Sequence, residues 1–177
     1  WLITGGAGYI GSHISADFLR LGIPFNVIDI NESKMVSRLS VDVHKDLADI
    51  RKIEDLDTIF SQNNFAGVIH LAALKSVEES QQYPSRYEQT NEIGTRNLLH
   101  VMKKYGVKNL VFSSTAAVYG ETEFGILNES TKMLPISNYG KSKMICERII
   151  EEANREFGLE FVNLRYFNVA GTLNDKL

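Results

Sequence analysis

Six residues, Gly6-Ala7-Gly8-Tyr9-Ile10-Gly11, constrain the fold of this chain more than any other stretch. They follow a short apolar run, Trp1 to Thr4, and Gly11 lies 18 residues ahead of Asp29. Glycine permits a tight strand-to-helix connection and lets the main chain approach a pyrophosphate closely. The unpaired N–H groups of the helix that follows then face the anion. Such a pattern gains meaning only from its context, and here a strand precedes it and a helix follows. Ile10, Ile14, Phe18 and Leu21 recur at helical spacing. Gly22 is placed to cap that helix, and Pro24 prevents its continuation. Phe25 to Ile28 read as a second strand, with Asp29 at its carboxyl end.

The same alternation runs through the rest of the chain, without repeats or low-complexity linkers. Val41 to Lys45 predict a third strand, Ile50 to Phe60 a helix and Val68 to Leu71 a fourth, fully apolar strand. A long helix is expected next, with Pro84 in its first turn, Leu98, Val101, Met102 and Tyr105 along one face, and Gly106 at its end. Leu110 to Phe112 predict a fifth strand that ends at Ser113-Ser114-Thr115, and Phe161 to Leu164 a sixth. Between them a helix covers about Tyr139 to Phe157, with Ile145, Ile149 and Ala153 on one face and Gly158 as its stop. Short apolar strands separated by amphipathic helices imply parallel pairing through right-handed crossovers. The expected fold is therefore α/β, a doubly wound parallel sheet of the Rossmann kind, in which ligands collect outside the carboxyl ends of the strands. Asp29, Asp46, Leu71 to Lys75, Ser113 to Thr115 and Arg165 to Asn168 all fall there.

At 177 residues the chain suits one domain with a sizeable core. It opens inside the expected first strand, without a methionine, and stops shortly after the sixth, so it reads as part of a longer protein. A net charge of −3 offers no general attraction to nucleic acid or anionic membranes. No apolar run approaches the roughly 20 residues that span a bilayer, and no signal peptide is visible. The single cysteine, Cys146, excludes an internal disulfide framework, fits a reducing, cytoplasmic compartment, and reads as a packed thiol in a helix. His13, His44, His70 and His100 lack metal-ligand spacing, so no metal is expected, and His70 reads as a strand-end packing residue. Gly140-Lys141-Ser142 echoes a phosphate-binding loop, but Pro135 stands where that motif needs its first glycine. Asn31-Glu32-Ser33 and Asn128-Glu129-Ser130 fit a glycosylation pattern that matters only on secretion.

Two further features carry chemistry. Asp29 can accept both hydroxyls of an adenosine ribose and would repel a 2′-phosphate, and Ile30-Asn31-Glu32 offer no adjacent arginine, which favours NAD over NADP. Asp46 could meet the adenine edge. Tyr139 and Lys143 stand four apart, so on a helix they share a face. A neighbouring ammonium favours phenolate, the positive ring of a bound nicotinamide would push the same way, and a tyrosine pKa below its usual value near 10 is expected. A phenol tuned in that way can exchange a proton with a sugar hydroxyl.

Taken together, Thr4 to Gly11, His70 to Ser76, Ser113 to Gly120, Tyr139 to Lys143 and Leu164 to Asn168 resemble the extended short-chain dehydrogenase/reductase family, and within it the UDP-glucose 4-epimerases. The resemblance spans essentially the whole chain and implies an NAD-binding Rossmann domain over residues 1-177, incomplete at both ends, with the sugar-nucleotide domain largely absent. It implies Tyr139 as the acid/base, Lys143 as the residue that tunes it and binds the nicotinamide ribose, and Thr115 beside the reacting C4 hydroxyl. Cofactor contacts are implied for Gly5, Gly8, Tyr9, Ile10 and Gly11, for Asp29, Ile30 and Asn31, and for Asp46 and Leu47. They continue through Leu71, Ala72, Ala73, Lys75, Asn91, Ser113, Tyr139, Lys143 and Phe167. Substrate contacts are implied for Lys75, Thr115, Tyr139 and Asn168, with a UDP-sugar as substrate and a homodimer built on the two long helices.

Within that family, elimination and decarboxylation need a further acid or base after the threonine, where this chain has Ala116-Ala117. Epimerisation at C4 through a transient 4-keto sugar needs only hydride transfer and one proton shuttle, and Lys75 matches the epimerase form of its loop. A related NAD-dependent dehydratase or decarboxylase, a cofactor domain inactive without its sugar domain, and a non-catalytic NAD-binding module remain as alternatives.

Overall fold

The computed structural model describes residues 1–121 and 126–172. Six parallel strands form one sheet: β1 (Leu2–Thr4), β2 (Asn26–Asp29), β3 (His44–Leu47), β4 (Val68–His70), β5 (Asn109–Thr115) and β6 (Glu160–Tyr166). Their order is β3-β2-β1-β4-β5-β6, so the winding reverses between β1 and β4, where a doubly wound sheet opens its ligand crevice.

Alternate residues of the strands enter two cores. Leu2, Ile28, Val68, Leu110 and Phe112 face one side, with Leu56 and Phe60 of α3 (Ile53–Gln62), Leu98 and Met102 of α6 (Gly94–Lys104), and Ile149 and Ile150 of α7 (Asn138–Phe157). Ile3, Val27 and Ile69 face the other, against Ile14 and Phe18 of α1 (Tyr9–Leu21) and Met35 and Leu39 at α2 (Glu32–Arg38). The caps read from the sequence hold. Gly22 ends α1 at φ 66°, its N–H reaching Leu19 O while that of Ile23 reaches Phe18 O at 2.9 Å. Gly158 ends α7 at φ 73°, and the Ser137 hydroxyl opens that helix by accepting from Gly140 N.

Beyond shifts of a few residues at element ends, such as α3 at Ile53–Gln62 where Ile50 to Phe60 read as helix, three differences from expectation stand out. β3 begins at His44 instead of Val41, because Val41 lies 91% exposed while Val43 alone packs inward, from a turn. The seven-residue α2 was not anticipated. Asn31 caps it by accepting from Lys34 N at 2.9 Å, and burial of Met35 and Leu39, roughly 1.5–3 kcal/mol each, offsets the cost of nucleating so short a helix. The long helix comes as a series: a separate α4 (Val77–Gln82), then α5 (Pro84–Tyr87) with Pro84 in its first turn, a π-helical segment Glu88–Ile93, and α6. Gly106 follows at φ 71°. A single π turn of this kind is commonly found beside a functional site.

Candidate functional site

A crevice of about 1040 Å³ runs along the carboxyl ends of the strands. Its floor is the glycine turn. Gly5 has φ 67°, and a Cβ there would stand 2.7 Å from Ala72 N; one on Gly11 would stand 2.5 Å from Gly6 Cα. The main chain of the turn is therefore packed too closely for side chains, and the start of α1 lies open to the crevice. At the end of β2, Asp29 is held by main-chain donors on both oxygens, Ala7 N at 3.1 Å and Asn31 N at 3.0 Å.

Beneath the loop after β4 lies a directed hydrogen-bond chain. Leu71 N and Ala72 N both donate to Thr4 Oγ1 at 3.2 Å. Thr4 lies 2.7 Å from His70 Nδ1, and His70 Nε2 lies 3.1 Å from Thr95 Oγ1, whose hydroxyl donates to Asn91 O at 2.6 Å. With Thr4 accepting twice and Thr95 donating onward, the imidazole accepts at Nδ1 and donates from Nε2. Full burial, helped by the Lys143 charge, lowers the His70 pKa from 6.5 to about 3. Between those values the unfolded chain binds a proton that the folded one does not, so stability rises with pH from about 3 to 6.5 and is lost as acid is added. Thermal unfolding followed across pH 4–6.5 should slope by up to ~1.4 kcal/mol per pH unit. His70→Asn should flatten that slope, and an unchanged slope would refute the assignment.

Asn91, implied as a cofactor contact, is buried and turns its amide to the main chain of Leu74 (donor N at 2.9 Å, acceptor O at 3.1 Å) and to Ser142 Oγ. It shapes the wall without lining the crevice. Asn31, Asp46 and Leu47 also lie outside the lining. Asn31 is spent on its cap, while Asp46 sits within β3 and meets His44 at 3.2 Å. The shifted strand carries Asp49-Ile50-Arg51 to the crevice instead, Asp49 pairing with Arg51 at 2.5 Å. That arginine holds the Asp49 carboxyl below its ordinary range. The remaining implied residues, from Gly5 to Asn168, line the crevice. Lys34 and Arg38 of α2 join them, two cations that Ile30-Asn31-Glu32 did not disclose.

At the far end, Tyr139, Lys143 and Thr115 converge, and Ala116 and Ala117 line the wall beside them. Lys143 is only 3% exposed; its ammonium donates to Ser113 O at 2.8 Å and stands 4.6 Å over the Phe112 ring. Burial lowers its pKa from 10.5 to about 8, against the upward pull of Cys146 and Glu147. Burial raises the Tyr139 phenol above 10, and hydrogen bonding to Thr115 opposes this. Without coenzyme the ammonium alone therefore does not lower this phenol, as its spacing suggests it should: the two residues share a face, but the ammonium is directed at the strand end and burial dominates at the phenol.

Glu147 extends the Tyr139–Lys143 face by one more turn, a spacing that could have revealed it. It is fully buried, accepts from Ser114 Oγ and pairs with Arg165 at 2.7 Å. Arg165 also donates to Tyr119 Oη at 2.8 Å and Glu129 O at 3.2 Å. Among the described residues no cluster of His, Cys, Asp and Glu could hold a metal ion. Among them, too, no helix is long and apolar enough to cross a membrane.

This geometry matches a known family. The model of the NAD dependent epimerase/dehydratase family aligns with residues 1–176. The chain belongs to that family. It is 40% identical over 177 residues to UDP-glucose 4-epimerase of Lacticaseibacillus casei, covering 98% of this chain and 52% of that one. It is 43% identical over 170 residues to the enzyme of the same name from Halalkalibacterium halodurans, covering 96% and 51%. The crystal structure of Thermus thermophilus UDP-glucose 4-epimerase in complex with NAD superimposes with a TM-score of 0.93 at 36% identity, over 98% of this chain and 57% of that one. That of the Thermotoga maritima enzyme with UDP-glucose gives 0.91 at 40%, over 96% and 56%. The chain thus spans about half the length of these relatives.

Proposed function

We propose that the protein to which this chain belongs interconverts C4 epimers of a UDP-hexose, glucose and galactose, with NAD held along the crevice. One observation carries the reading: Thr115, Tyr139 and Lys143 meet on one wall whose neighbouring positions, Ala116 and Ala117, cannot transfer a proton. That disfavours elimination and decarboxylation and leaves a site sufficient for one proton exchange. The fit to NAD rests on the glycine floor, which has no room for side chains, and on Asp29 at the end of β2. Held on the glycine floor and at Asp29, NAD would supply a reversible hydride acceptor for C4 of the sugar.

The chain's own residues do the rest. Tyr139 takes the C4 hydroxyl proton and gives it back. Thr115 orients that hydroxyl, its own Oγ1 held by Ala117 N at 3.2 Å. Lys143, anchored on Ser113 O, presents a charge to the coenzyme ribose that is retained below about pH 8. Asn168, in the lining, faces the substrate diphosphate. Two copies pair through α5–α6 and α7, and the buried thiol of Cys146 suits a reducing cytoplasm.

The test is conversion of UDP-galactose to UDP-glucose by the full-length protein without added reductant, together with NAD released on denaturation. Both are expected. Release of NAD without conversion would overturn the C4-epimerase reading in favour of a related NAD-dependent sugar-nucleotide enzyme or a non-catalytic NAD-binding module, and release of none would overturn the reading altogether.

A further inference from the structure

We infer that Lys34 and Arg38 form a cationic clamp fit for the 2′-phosphate of a phosphorylated dinucleotide, and that Asp29 alone keeps such a ligand out. This rests on the proposed seating of a dinucleotide with its adenosine ribose at Asp29.

The rotation of α2 is fixed by its buried side: Met35 and Leu39 pack with Ala7 and Val27 beneath the glycine turn. Lys34 and Arg38, each one position earlier and four apart, are thereby presented together to the crevice. Arg38 contacts the same residue, through its other peptide, that orients the ribose-facing carboxylate. Its Nη1 reaches Ala7 O at 3.4 Å, while Ala7 N donates to Asp29 Oδ2 at 3.1 Å. Neither Arg38 nor Lys34 forms an ion pair among the described residues, whereas Arg51, farther along the same wall, is committed to Asp49.

A phosphate monoester carries about −1.5 to −2 charge at pH 7, and a guanidinium fork suits its oxygens. Those two cations would attract it. The Asp29 carboxylate, fixed by Ala7 N and Asn31 N, cannot swing away and so repels it. A ribose carrying a free 2′-hydroxyl instead donates to that carboxylate. Selectivity for NAD is therefore a contest between one carboxylate and two cations, and removing the carboxylate charge leaves a site for the phosphorylated coenzyme already built.

The experiment uses the full-length protein stripped of coenzyme and titrated with NAD, NADP, 5′-ADP and 2′,5′-ADP. Asp29→Asn, which removes the charge and keeps an acceptor for one of the two main-chain donors, is expected to bind NADP and 2′,5′-ADP at least tenfold more tightly than the unsubstituted protein. That gain should weaken with salt. Adding Lys34→Ala and Arg38→Ala should abolish it. In the otherwise native protein those two exposed substitutions should weaken residual 2′,5′-ADP binding about tenfold more than they weaken 5′-ADP binding, a readout that holds even if Asp29→Asn fails to fold; equal weakening of both ligands would overturn the inference. No gain on Asp29→Asn, or a gain that survives loss of both cations, overturns the inference. Failure of the unsubstituted protein to bind NAD or 5′-ADP would overturn the dinucleotide seating itself.

Discussion

Tyr139→Phe in the full-length protein is expected to cut epimerisation by about 10²–10⁴-fold, the usual contribution of one acid/base group, while leaving NAD retention within a factor of two or three. The ring keeps its place because its packing does not depend on the hydroxyl: it sits edge-on to the buried Tyr87 ring at 6.4 Å. Only the proton shuttle is removed. The pH dependence is the sharper test, since burial holds this phenol above 10 in the protein alone and a base needed near neutrality must ionise more readily. The positive charge of oxidised nicotinamide is the remaining group able to lower it. Ultraviolet titration should therefore show the Tyr139 phenol ionising above pH 10 without coenzyme and at least one unit lower once NAD is loaded, with the signal lost in Tyr139→Phe. Equal ionisation in both states, or an equal loss of turnover and NAD affinity in the variant, would remove Tyr139 from the role of base.

What the sequence disclosed was local. The glycine turn, the left-handed caps at Gly22 and Gly158, Pro84 in a first turn and the shared face of Tyr139 and Lys143 each depend on residues within a few positions of one another. The parallel order of the sheet followed from alternation of elements. At Val41–Lys45 local reasoning misled: two valines separated by one residue imitate a half-buried strand, yet only Val43 finds a core to enter. The register then moved Asp46 into the strand and Asp49 to the crevice, a consequence of pairing between β2 and β3 that no short window contains.

The larger part of the site's chemistry depends on contacts distant in sequence. Thr4 and His70 are 66 positions apart, His70 and Thr95 are 25, and Asn91 and Ser142 are 51. Each looks ordinary alone: a threonine ending one strand, a histidine ending another, an asparagine in a helix. The ammonium's missing effect on the phenol has the same origin. Spacing places an ammonium near a hydroxyl, but only the fold shows that Ser113 O takes the ammonium and that the hydroxyl is withdrawn from water.

The largest stability effect is expected at Arg165. This residue stands opposite Ser114 in the β5–β6 ladder, and both side chains converge on Glu147, whose carboxylate is 0% exposed. Arg165→Met removes the cation and leaves a buried charge without its partner, which costs about 3–5 kcal/mol. It also frees Tyr119 Oη and Glu129 O, so the segment after Thr115 loses its tie to the sheet. Denaturant unfolding should register that loss as a lower midpoint at unchanged slope. Glu147→Leu alone should be costly too, because it leaves the guanidinium, only 18% exposed, without its counter-charge and the Ser114 hydroxyl without an acceptor. The double variant Glu147→Leu/Arg165→Met should recover at least about 1 kcal/mol relative to the sum of the singles, since a buried pair replaced whole by apolar groups is close to neutral. Additive losses would mean that the two residues act separately. Recovery of stability without recovery of turnover would show that the pair also sets Ser113 O and Thr115, the two groups through which β5 meets Lys143 and Tyr139.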